Sequence, residues 1–126
     1  MSYRTPIGRA RGLGSAKDGT AHWWAQRLTA LALVPLVLWF VISVVRLIGA
    51  GHGAVVAWLG SPVAAGLMIL LIVATFHHAQ LGVQVVIEDY VHNEAGKIAA
   101  IILVKFAAVV LGLAGILAVL AIAFGS

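Results

Sequence analysis

An all-α integral membrane protein, a single bundle of three spanning helices, is the fold class this sequence predicts, and three observations carry it. The chain is 63% hydrophobic and only 10% charged, with a mean hydropathy of +1.10, far too apolar for a water-soluble domain of 126 residues. Its apolar residues gather into three runs, each long enough to cross a hydrocarbon core of roughly 30 Å as a helix. Short Gly-rich or polar connections separate the runs and no internal repeat divides the chain, so residues 1–126 form one membrane domain.

Met1 to Thr20 is basic, Gly-rich and without hydrophobic periodicity, and it reads as a polar tail. It is not the start of a signal peptide: the run that follows exceeds the roughly 7–15 residues of such an apolar region, and no small-residue cleavage site follows it. The first span is expected at about residues 28–48, with charge only at Arg46, whose long side chain can reach the far surface. Trp23 and Trp24 precede it as interfacial anchors, and Pro35 removes one backbone donor within it, which a bundle can absorb.

Gly49 to Ser61, with Gly49, Gly51, Gly53 and Gly60, reads as a turn-rich connection, and Pro62 suits the first position of the second helix. That helix is expected over residues 62–90; at about 1.5 Å per residue it is roughly 43 Å long, so its last turns emerge into the headgroups. Val91 to Lys97 reads as a polar turn and residues 98–124 as the third span, with Lys105 about two turns in and able to reach back to the surface. Ala108, Gly112, Gly115 and Ala118 recur there at three- or four-residue spacing, as small residues do where helices pack closely.

Charge sets the expected orientation. Arg4, Arg9, Arg11, Lys17 and Arg27 flank the start of the first span, Lys97 and Lys105 follow the second, and the opposite side has only Arg46. By the positive-inside rule the N-terminus and the turn before the third span are cytoplasmic. A formal charge of +4 spread in this way belongs to a membrane flank rather than a nucleic-acid face, and basic aromatic platforms are absent. With no cysteine, disulfides and thiolate metal sites are excluded. All four acids, Asp18, Glu88, Asp89 and Glu94, lie at expected surfaces, whereas a small proton-coupled transporter calls for a carboxylate in mid-membrane.

The chemistry gathers in the second helix, in the stretch HHAQLGVQVVIEDYVH from His77 to His92. On a helix, His78, Gly82, Val85 and Asp89 fall at i, i+4, i+7 and i+11, one face, and His77, Gln80, Gln84 and Glu88 line an adjacent stripe about 100° around. His78 precedes Asp89 by about 16 Å along the axis, well inside the membrane, where ionisable residues are costly and often functional. A neutral imidazole there can ligate haem iron, or can be merely hydrogen-bonded. A glycine one turn on lets a flat macrocycle approach, and His78 has Gly82 there where His77 has Leu81. The first and third expected spans contain no histidine, and His22, His52 and His92 fall at expected surfaces, so a second haem ligand must come from another subunit. Tyr90 could donate to a quinone carbonyl with Asp89 beside it; the simpler reading of the pair is an interfacial aromatic next to a solvated carboxylate.

The pattern His78-Ala79, Gly82, then Asp89-Tyr90-Val91, followed by a short polar turn and a third span, resembles the small hydrophobic membrane-anchor subunit of succinate dehydrogenase, respiratory complex II. The resemblance implies that His78 is one axial ligand of a b-type haem, haem b, shared with a larger cytochrome b anchor subunit, and that this chain is half of a heterodimeric anchor. It implies that Asp89 and Tyr90 lie at the ubiquinone site, with the Tyr90 hydroxyl bonded to a quinone carbonyl. Arg27 is a weaker match, for a haem propionate or the quinone site, and His22 weaker still. Expected partners are the iron–sulfur and flavoprotein subunits, docked on the cytoplasmic face of a bacterial inner membrane, in a complex of the respiratory chain and the tricarboxylic acid cycle. The chain itself then dehydrogenates nothing. A haem-free quinone-binding anchor, as in some fumarate reductases, is the alternative, in which both histidines are structural.

Overall fold

The computed structural model describes residues 15–125 of the chain, which form helices α1 (Ser15–Leu47), α2 (His52–Gly60), α3 (Pro62–Tyr90) and α4 (Glu94–Phe124) with no strand among them. Three of these are long and apolar enough to cross a membrane, over Gly19–Leu47, Pro62–Tyr90 and Glu94–Phe124. The polar tail expected over residues 1–20 lies outside the described residues as far as residue 14, and from Ser15 onward the chain is already helical. Hydropathy marks only the lipid-filling part of a helix, while extending one that has nucleated adds a backbone hydrogen bond for each further residue ordered. α1 continues through Pro35 without interruption.

The Gly49–Ser61 connection corrects the sequence reading. Only its ends turn: Gly49 and Gly51 take φ of +78° and +89°, a region open to glycine at little cost. Between them and Ser61 the chain winds into the nine-residue α2. The run Ala54-Val55-Val56-Ala57-Trp58-Leu59 gives α2 an apolar surface to bury. Leu59 joins Ala65 and Val119 in a core cluster, with Met68, Ile72 and Ile122 packed around it. Trp58 stacks on Trp39 of α1 at 5.5 Å between ring centroids. The second connection is shorter than expected. Asn93 caps α4, its side-chain oxygen accepting from the backbone N–H groups of Ala95 at 3.0 Å and Gly96 at 3.3 Å. Helix therefore resumes at Glu94, since an Asn at the N-cap satisfies donors that would otherwise be left to water.

α3 is the central helix and packs antiparallel against both α1 and α4. Against α4 the approach is close: a Cβ on Gly115 would come within 3.3 Å of the Ile72 side chain, and one on Gly112 within 3.7 Å of Phe76. These two of the expected small residues thus serve helix packing. The buried apolar set is small and rich in alanine, Ala64, Ala65 and Ala74 beside Leu59, Leu71, Leu81 and Val119. Large apolar side chains along all three spans face outward, among them Leu31, Leu38, Leu70, Leu103 and Val109. In lipid such exposure carries no penalty, because acyl chains are as apolar as leucine. It leaves the layer of helices with broad faces for lipid or another subunit.

Candidate functional site

The two histidines of α3 part company in space. His78 is half-buried and turned towards α1, where its Nδ1 lies 3.0 Å from the hydroxyl oxygen of Thr29. That hydroxyl is also 2.8 Å from the Ala25 carbonyl oxygen and 3.0 Å from that of Gln26, the bond back to the preceding turn that a helical Thr commonly makes. One turn further along α3, Gly82 faces the same helix: a Cβ there would meet only the Gln26 amide nitrogen, at 3.8 Å. That is ordinary contact, so packing within this chain leaves room for a larger residue at position 82.

On α1 the residues opposite this edge repeat at helical spacing. His22, Gln26 and Thr29 fall at i, i+4 and i+7 and form one stripe. His22 Nε2 and Gln26 Oε1 are buried and, among the described residues, lack a hydrogen-bond partner. His22 lies within α1 and is partly packed. Gln26 and Thr29 carry no ionisable group, so a pattern of ionisable residues within spans does not mark them. The available signal was this polar stripe at the start of an otherwise apolar run.

His77, about 100° around the helix from its neighbour, is exposed. It lines a groove of about 510 Å³ between α3 and α4, with Phe76, Gln80, Lys105 and Gly112 among the walls, and a smaller one of about 280 Å³ towards α1. Beyond it the polar stripe bonds to itself: the Gln80 amide donates to Gln84 at 2.9 Å and the Gln84 amide to Glu88 at 3.0 Å. Lys105 opens on the same groove.

Asp89 and Tyr90 end α3, both exposed, with Tyr90 at 76%. Among the described residues neither side chain makes a hydrogen bond within the chain. Arg27 sets its guanidinium 5.2 Å from the Trp23 ring centroid, a cation–π contact at the entrance to α1. The chain thus brings together His78, Gly82, Gln26 and Thr29, and presents Asp89, Tyr90 and Arg27 towards the same end of the bundle. No group of three or more His, Cys, Asp or Glu among the described residues is placed to hold a metal ion.

Three apolar helices with a polar central one describe many membrane proteins; a sequence match decides between them. The model of the succinate dehydrogenase/fumarate reductase transmembrane subunit matches residues 1–112, which include the whole of α3. The chain belongs to this family. It is 38% identical over 106 residues to the succinate dehydrogenase hydrophobic membrane anchor subunit of Paracoccus denitrificans, covering 84% of this chain and 82% of that one. To the corresponding subunit of Rickettsia bellii it is 33% identical over 117 residues, 93% and 94% of the two chains. The succinate dehydrogenase membrane anchor subunit of Reclinomonas americana is 31% identical over 96 residues, 74% of this chain and 80% of that one. No solved structure matches the chain. As a member of the family, with three helices long and apolar enough to cross a membrane, it is a multi-pass membrane subunit.

Proposed function

We propose that this succinate dehydrogenase membrane-anchor subunit supplies, through His78, one axial ligand of a b-type haem. With Asp89 and Tyr90 it also supplies part of a ubiquinone site. The observation that carries the haem reading is the state of His78: a half-buried imidazole inside a span, with Nδ1 held by Thr29 and Nε2 left unengaged by the described residues. A histidine that ligates a metal through one nitrogen characteristically has the other hydrogen-bonded, so the donor set fits the group. The haem, when bound, contributes a one-electron centre within the membrane. This chain offers it one ligand, so the larger cytochrome b anchor subunit brings the second. Gly82 adds to the reading, because nothing within this chain demands a glycine there.

At the end of α3, the exposed Tyr90 hydroxyl is free to donate to a quinone carbonyl. The adjacent Asp89 carboxylate, open to water, would take a proton from the surface and pass it on to the quinone oxygen as the quinone is reduced. Arg27, about one turn after Trp23, supplies positive charge towards the same end of the bundle for a propionate or for the quinone site. With the N-terminus cytoplasmic, as the charge distribution favours, Tyr90 faces the side on which the iron–sulfur and flavoprotein subunits dock. In a bacterium that membrane is the inner one, and the Paracoccus and Rickettsia relatives are bacterial.

The hydrogen bond between His78 and Thr29 also favours a second reading, a haem-free quinone-binding anchor in which His78 only ties α3 to α1. A succinate-reduced minus oxidised visible spectrum of the complex that co-purifies with this chain separates the two. A b-type band that succinate reduces is expected; a complex that reduces quinone without one selects the haem-free anchor.

A further inference from the structure

We infer that Thr29 is the positioning residue that fixes the tautomer and ring orientation of His78, so that Nε2 is the nitrogen offered to haem iron. The inference rests on His78 being an axial ligand, and it concerns a residue on another helix, 49 positions away in sequence. A threonine hydroxyl has one proton to give and lone pairs with which to accept. Thr29 has two backbone carbonyl oxygens close by, Ala25 at 2.8 Å and Gln26 at 3.0 Å, and its proton goes to them. Towards His78 the oxygen can then only accept. With the Thr29 proton assigned to those carbonyls, the group 3.0 Å away is the donor, Nδ1–H.

A neutral imidazole carries one N–H, and only that form has a nitrogen lone pair to offer a metal. With the proton on Nδ1, the lone pair sits on Nε2. The β-branched Thr29 side chain has few rotamers in a helix, and the bond to its own preceding turn holds the one observed. The oxygen is thus a fixed acceptor, and His78 is aligned by a part of α1 rather than by its own helix. The same donation to the carbonyl polarises the hydroxyl and makes it a better acceptor. His77 has no such partner among the described residues and opens on a groove. Of two adjacent histidines, only the one opposite Thr29 has its ligating nitrogen chosen for it.

The test uses the intact complex carrying Thr29→Val, which keeps the branched shape and removes the acceptor, and Thr29→Ser, which restores it. Haem content, the haem midpoint potential and the electron paramagnetic resonance signal of the ferric haem are read for each. Thr29→Val is expected to weaken haem retention, on the order of the 10–100-fold typical when a ligand's supporting hydrogen bond is lost. It should also raise the potential, because an Nδ1–H without an acceptor makes the imidazole a poorer donor to ferric iron, and it should alter the signal. Thr29→Ser should return all three to wild type. Wild-type potential and signal in Thr29→Val would overturn the inference, as would haem loss that Thr29→Ser fails to rescue, since that marks a packing role. His78→Ala separates the two levels of the argument: haem retained there overturns the ligand assignment itself, whereas haem lost there with Thr29→Val unchanged overturns only the role of Thr29.

Discussion

The two edges of α3 that begin at His77 and His78 differ by one residue in sequence and by almost everything in surroundings. The His78 edge lies against α1, where Thr29 holds an imidazole nitrogen at 3.0 Å and Gln26 covers Gly82. The His77 edge opens on the groove beside α4, and its glutamines bond to one another and to Glu88 along the helix. One edge is organised by a neighbouring helix and the other by itself. The contrast teaches that a polar side chain in a span becomes a built site only where a second element fixes it. On its own helix it can at most satisfy a neighbour one turn away, at about 0.2–0.5 kcal/mol per pair.

The largest expected effect breaks the comparison outright. His78→Ala should abolish the b-type absorption of the assembled complex while His77→Ala leaves it intact, measured as haem per complex; equal content in the two variants would remove the distinction between the edges. Next in size is Tyr90→Phe, at the surface end of the same helix. Loss of one neutral hydrogen bond to the quinone is expected to slow succinate-linked quinone reduction by up to about 10-fold. Reduction of a soluble dye by succinate should be unaffected, and unchanged quinone turnover would count against Tyr90 as a donor.

Gly82→Ala sharpens the picture of the His78 edge. The added methyl meets only Gln26 at 3.8 Å within the chain, so assembly should be normal. Haem retention should nonetheless fall several-fold if a macrocycle lies against the backbone there; full retention would place the ring elsewhere. The smallest effect belongs to the self-satisfied edge. Gln84→Leu breaks both rungs of the ladder, a change below about 1 kcal/mol by the pair values above, with the haem spectrum unchanged. Assembly of the complex, followed by co-purification, is the sensitive readout there, because loss of the partner subunits would show that this edge contacts another chain.

A second contrast runs between the ends of the molecule. At the α2 end, Leu59, Ala65 and Val119 close a hydrophobic cluster under a short helix. At the other end, Glu88, Asp89 and Tyr90 stand exposed in the last turn of α3. The polar end is legible in the sequence, whereas the glycines of the closed end point to a loop where the chain is helical. Glycine frequency suggested a turn, but only Gly49 and Gly51 use positive φ. Gly53 and Gly60 sit within or at the edge of a helix whose apolar run outweighs their cost of about 1 kcal/mol each.

What the sequence by itself determined follows from local physics. Three apolar runs of spanning length dictate three membrane helices, because a chain in lipid must satisfy its backbone internally. The 3.6-residue repeat puts His78 and Gly82 on one face and His77, Gln80, Gln84 and Glu88 on the next. Tertiary structure alone decided which face meets which helix. Periodicity gives the angle between two side chains of one helix but carries no information on the neighbour each will find. Thr29 and His78 are 49 residues apart and become partners only because α1 and α3 pack antiparallel at that register. A hydrogen bond of that kind depends on distance in space, and the sequence specifies it only through the packing of the whole.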